Sequence, residues 1–111
     1  MPPILPPSLC LVLTTLPDAE VAGRIARSLV EAKLAACVNI LSPCHSIYAW
    51  QDAVQEDGEI PLIIKTTSDR YPALETFLQE RHPYQVPEII VIDVKDGLPD
   101  YLRWAAAATR P

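Results

Sequence analysis

The chain has 111 residues, half of them hydrophobic, which fits one globular domain and excludes a disordered chain. A formal net charge of −5, with nine Lys and Arg scattered along the chain, excludes a basic face and with it nucleic acid as the main partner. No apolar run approaches the roughly 20 residues that span a bilayer, and Cys10, Cys37 and Cys44 lack any C-x-x-C spacing, so they read as reduced thiols.

Residues 1–8 carry four prolines and lack both the basic and the apolar region of a signal peptide. The expectation is a flexible tail over 1–8 and a single cytoplasmic domain over 9–109. Residues 9–15 form an apolar run of strand length. Pro17, Asp18 and Glu20 then mark a helix start, the carboxylates suiting the helix dipole. Val21, Ala22, Ile25, Ala26, Leu29 and Val30 recur at helical spacing and predict a helix to about Leu34.

A second strand is predicted over 36–41, interrupted at Pro43 and continued over 46–50. Glu56-Asp57-Gly58-Glu59 reads as a turn, and 60–67 as a third strand with Pro61 at an edge or a bulge. The next helix has Ser68 or Asp69 near its cap, Pro72 in its first turn, and Leu74, Phe77 and Leu78 on one face. His82-Pro83-Tyr84-Gln85-Val86-Pro87-Glu88 follows as a stiff loop, since a residue before proline is driven out of the helical region. It presents a histidine, a tyrosine and a carboxylate ahead of a strand predicted as buried over 88–94. Residues 96–99 form a turn, and 100–109 a final helix with Tyr101, Leu102, Trp104, Ala105 and Ala108 on its apolar face.

This order is βαββαβ plus a helix, an α+β, ferredoxin-like sandwich. The strands are apolar on both faces, Leu9, Leu11 and Leu13 against Cys10 and Val12, for example. Two helices cover one face only, so other subunits are expected on the other.

Thr14-Thr15-x-Pro17-Asp18, Leu34-Ala35-Ala36-Cys37-Val38-Asn39, Ser46-Ile47-Tyr48-x-Trp50, Glu59-x-x-Leu62-Ile63-Ile64-Lys65-Thr66, His82-Pro83-Tyr84-x-x-Pro87-Glu88 and Asp100-Tyr101-Leu102-x-Trp104 stand in one order. Over residues 9–107 they resemble the CutA divalent-cation tolerance proteins. The resemblance implies a tight homotrimer of ferredoxin-like subunits, similar in plan to the PII signalling trimers, with a link to copper and other divalent cations and no enzymatic activity. The chain departs from the family's pattern at Leu16, where a cysteine is frequent, and at Arg81, which replaces the first of a histidine pair. Lys33 stands for an arginine and Asp52 for a glycine. Of a copper site built from that cysteine and that pair, only His82 remains.

His82 is a candidate metal ligand, since imidazole suits copper and zinc, or else a residue that fixes its own loop. Cys37 offers a thiolate or plain packing, and Glu59 a carboxylate ligand. Cys44 is the thiol expected to be exposed, and Cys10 a small buried hydrophobe. Glu59 and Lys65 form an intersubunit ion pair, or else Lys65, Tyr84, Glu88 and Trp50 belong to a cleft for a small anion or metabolite. Trp50 and Tyr48 also read as interface anchors. No nucleophile–base arrangement is legible, and three glycines make no phosphate loop. An acylphosphatase would need an arginine after the first strand, and a copper chaperone an M-x-C-x-x-C loop. Leu16-Pro17-Asp18 supplies neither.

Overall fold

Eight elements follow in chain order: β1 (Leu9–Leu16), α1 (Ala19–Glu31), β2 (Cys37–Ile40), β3 (Cys44–Trp50), β4 (Ala53–Thr67), α2 (Tyr71–Arg81), β5 (Ile90–Asp93) and α3 (Pro99–Ala108). The computed structural model describes residues 7–111, so the tail expected over 1–8 lies, apart from its last two residues, outside them. The strands form one antiparallel sheet in the order β2-β4-β1-β5, and β3 pairs with β4 beyond the end of β2.

Helix α1 starts where Asp18 accepts a hydrogen bond from the Val21 N–H at 2.9 Å, an N-cap that satisfies an orphan donor. It ends three residues earlier than its periodicity predicts. Lys33 takes the left-handed conformation, φ 58°, while its N–H donates to the Val30 carbonyl and that of Leu34 to Leu29. That is a Schellman closure made without glycine. It turns Leu34 into the core rather than continuing the helix.

One face of the sheet, with Val12, Leu16, Leu62 and Ile64, packs on Ile25 and Leu29 of α1 and on Leu74 and Leu78 of α2. Helix α3 covers one end of the opposite face, setting Leu102, Ala105 and Ala108 against Leu9, Ala36 and Val94. Its C-terminal side is fastened by Arg110, whose guanidinium reaches both Asp69 oxygens at 2.7 and 3.0 Å and the Thr67 hydroxyl at 2.9 Å. The Arg110 and Thr67 hydrogen bonds hold the Asp69 carboxyl well below the usual carboxylate range. Asp69 is therefore spent on this latch, and α2 begins after Arg70 with no side-chain cap, Pro72 standing in its first turn.

Two expectations need correction. Residues 56–59 are not a turn: they lie inside β4, a strand of 15 residues. The chain reverses instead at Gln51 and Asp52, φ 50° and 63°, a two-residue hairpin loop between the paired Trp50 and Ala53. Turn-forming residue types were overridden by the ladder to β3. The strand predicted as buried, β5, is a short edge strand with Ile90 49% and Ile92 47% exposed, because it pairs only with β1 and no helix reaches its outer half.

Pro61 lies on the central strand, not an edge, and it does sit at a bulge. Ile40 pairs with Leu62 and Cys44 with Glu59, so residues 41–43 face 60–61 with one residue extra. The Pro61 carbonyl accepts from the Leu41 N–H at 3.0 Å, and its missing N–H falls where the ladder is already broken. Beyond this bulge β3 and β4 run on as a two-stranded ribbon, which contributes to a 57 Å long subunit.

Asp52 holds a left-handed conformation that glycine adopts without strain. Asp52→Gly is expected to stabilise the ribbon by up to about 1 kcal/mol. Urea denaturation should show a higher midpoint at unchanged slope.

Candidate functional site

A cleft of about 850 Å³ opens where the ribbon leaves the sheet, between the end of β1 and the loop 82–88. Ribbon side chains reach it by alternation. Ser46 pairs with Asp57, and Tyr48 and Trp50 continue the same face of β3, while Glu59 continues it on β4. From the other side Thr15 of β1 and Tyr84 and Glu88 of the loop complete the walls. The lining includes the carboxylates of Asp57, Glu59 and Glu88 and no Lys, Arg or His.

Glu59 is the buried one, only 9% exposed. Burial opposes its charged form, but the hydroxyls of Ser46, Thr15 and Tyr84 outweigh that and hold its carboxyl below the ordinary glutamate range. In return burial and the Glu59 carboxylate push the Tyr84 phenol far up, so it stays a donor. The Tyr48 hydroxyl donates to Asp57 on the same wall.

His82 stands just behind the cleft and is 8% exposed. Its Nε2–H donates to the Thr15 carbonyl at 2.9 Å, with the Thr14 hydroxyl at 3.2 Å, and its Nδ1 accepts from the Tyr84 N–H at 3.2 Å. The rings of His82 and Tyr84 pack at 4.9 Å. Both imidazole nitrogens are therefore engaged in tying the loop to the end of β1. Burial lowers the imidazole pKa, against the opposing effects of the Thr15 carbonyl and the Glu59 charge.

The proposed metal ligands do not form one set within a chain. His82 and Glu59 flank the Thr14–Thr15 end of β1, whereas Cys37 sits on β2 opposite Lys65. Lys65 is six residues along β4 from Glu59, roughly 20 Å at about 3.3 Å per residue. Among the described residues no three His, Cys, Asp or Glu groups converge on a point that would hold a metal ion. Lys65 also lies outside the cleft: its Nζ is 5.9 Å over the Tyr101 ring of α3. The Glu59–Lys65 ion pair does not form within one subunit. Trp50, Tyr84 and Glu88 line this cleft within one subunit. Cys44 is half-buried with Sγ 3.5 Å from the Ser46 hydroxyl, and the Cys10 thiol, pushed up to about 11 by burial and then by Asp93 and Asp69, is protonated and inert.

Sequence reasoning missed Thr15, Ser46 and Asp57. Their signal was present in the alternation of Ser46, Tyr48 and Trp50 facing Asp57 and Glu59. Reading 56–59 as a turn concealed it.

The sequence model of the CutA1 divalent ion tolerance protein family matches residues 10–108. A divalent-cation tolerance protein CutA of Thermus thermophilus is 48% identical over 94 residues, 85% of this chain and 91% of that protein. Protein CutA of Mus musculus is 43% identical over 104 residues, 94% of this chain, which spans only 59% of the mouse protein. The crystal structure of CutA1 from Oryza sativa superimposes with a TM-score of 0.91 at 40% identity, covering 95% of this chain and 96% of that one. With nearly all of its length matched in sequence and in fold, the chain belongs to the CutA1 divalent ion tolerance family.

Proposed function

We propose that the protein acts in divalent-cation tolerance as a non-enzymatic homotrimer of ferredoxin-like subunits, and that the acid-lined cleft is where it meets cations. One observation supports this most: Glu59 is buried and ionised, and the cleft around it holds no basic side chain. Because β2 and β3 lie end to end along β4, they count as one interrupted strand, and the order then follows βαββαβ with a helix added, which supports the ferredoxin-like reading. A PII-like site for a small anion lacks its cation in a single subunit, since Lys65 is elsewhere. A cytoplasmic, reducing setting accords with three free cysteines.

The trimer reading rests on apolar surface. Leu11, Leu13 and Ile63 share the open face of the sheet with Ile90 and Ile92, beyond the reach of α3. A patch of this kind on an edge strand invites another subunit. Light scattering at micromolar concentration should give about three times the 12.3 kDa chain mass, and a folded monomer would overturn the reading.

Copper is the metal the family suggests, and this chain is poorly equipped for it. Leu16 and Arg81 are not ligands, and His82 reaches a metal only by surrendering the Tyr84 N–H or its bond to the Thr15 carbonyl. Glu59 is then the first contact for a cation. Copper or zinc should bind weakly, at micromolar Kd or about −8 kcal/mol. Calorimetric titration should show Glu59→Gln losing most of that affinity and His82→Gln retaining it. The reverse pattern would restore His82 as the ligand.

The structural role of His82 has a pH signature. Its folded pKa is depressed, so below about pH 6.5 the unfolded chain takes up a proton that the folded chain resists. Stability conferred by the neutral ring is present above that pH and is lost as pH falls. Urea melts at pH 7 and pH 5 should show a drop for the wild type that is smaller in His82→Gln.

A further inference from the structure

Glu59 carries a charge that nothing in its own subunit neutralises. Hydroxyls from Ser46, Thr15 and Tyr84 hold the carboxylate without cancelling its charge. His82 behind it offers no charge, since its Nδ1 accepts the Tyr84 N–H while its Nε2–H donates to the Thr15 carbonyl. Among the described residues no Lys, Arg or His forms an ion pair with Glu59. A buried, unpaired charge is costly, and a cation entering the cleft removes that cost.

Three features select the kind of cation. The cleft, about 850 Å³, is of the size that takes small organic molecules and is far larger than an ion. Asp57, Glu59 and Glu88 are distributed over its walls and do not converge, whereas a bare metal ion needs several donors at one point. Three aromatic residues, Trp50 (38% exposed), Tyr48 and Tyr84, are part of its lining. Aromatic faces attract a cation and shelter an apolar body from water. Ammonium hydrogens also suit carboxylate acceptors.

We infer that the cleft binds a small organic cation, a primary ammonium on an apolar body, with the ammonium on Glu59 and the body against Trp50 and Tyr84. This rests on reading the cleft as a cation site. It adds the substrate class, which a divalent ion alone does not satisfy.

Calorimetry on the full chain tests it with phenethylammonium, its neutral counterpart 2-phenylethanol, and zinc alone. The expected result is saturable binding of phenethylammonium at least about tenfold tighter than of the alcohol, as a charge-assisted hydrogen bond confers. Glu59→Gln should erase that preference, and Trp50→Ala should weaken both compounds alike, with both variants folded and of unchanged oligomer mass. Equal binding of amine and alcohol, or a preference that survives Glu59→Gln, overturns the inference. Zinc binding without amine binding overturns it too, while leaving the cation reading intact. If neither cation binds and Glu59→Gln lowers the oligomer mass, a basic side chain of a second copy is the counterion and both readings fall.

Discussion

The antiparallel pairing of β1 with β4, from Leu9 opposite Thr67 to Leu16 opposite Ile60, is the constraint on which the rest of the molecule depends. It joins residues 44 to 58 positions apart, so the loop-closure cost falls on this one ladder. Once it forms, side chains of both strands alternate in step. Cys10, Val12, Thr14 and Leu16 share a face with Thr66, Ile64, Leu62 and Ile60, and α1 and α2 have a surface to bury. The same register brings the end of β1 beside the root of the ribbon, which is how Thr15 comes to stand next to Glu59. Core and cleft are consequences of one pairing read on its two faces.

Much of this was legible in the residues because it rests on periodicity. The apolar spacing of α1, its start at Pro17 and Asp18, Pro72 in the first turn of α2 and the extended geometry of His82 before Pro83 are local effects with local causes. Failures arose where a partner strand outvoted local preference. Glu56, Asp57 and Gly58 are turn formers in isolation, yet each pairs with β3: Glu56 with Ile47, Asp57 with Ser46, Gly58 with His45. Conversely, Gln51 and Asp52 bear no glycine to announce a reversal, and the hairpin forces them to positive φ. The exposure of β5 had no local signal, since an apolar strand reads alike whether a helix or a second subunit covers it.

The site was half legible for the same reason. Trp50, Tyr84, Glu88 and Glu59 were recognisable as polar or aromatic residues at strand ends and in a proline-stiffened loop. Their grouping required the strand assignment of 53–59, which places Asp57 and Glu59 on one face with Ser46 and Tyr48. Lys65 does not join that group within one subunit, because parity on a strand fixes the face and says nothing of distance along it. Lys65 and Glu59 share parity but lie at opposite ends of the face, the lysine beside Tyr101 and the glutamate in the cleft.

His82 and Glu59 show how the two ends of the loop divide one electrostatic task. A protonated His82 would neutralise Glu59, yet burial disfavours that form, and Nδ1 must stay unprotonated to accept the Tyr84 N–H. The hydrogen bond that orders the loop thereby forbids the internal ion pair. Tyr84 joins both halves: its backbone holds the imidazole in the neutral tautomer, and its phenol contributes to keeping Glu59 charged. Replacing Tyr84 with phenylalanine removes the second link and spares the first. The Glu59 carboxyl pKa should then rise toward its ordinary value while the loop stays in place, because the backbone N–H that positions it is common to every side chain but proline.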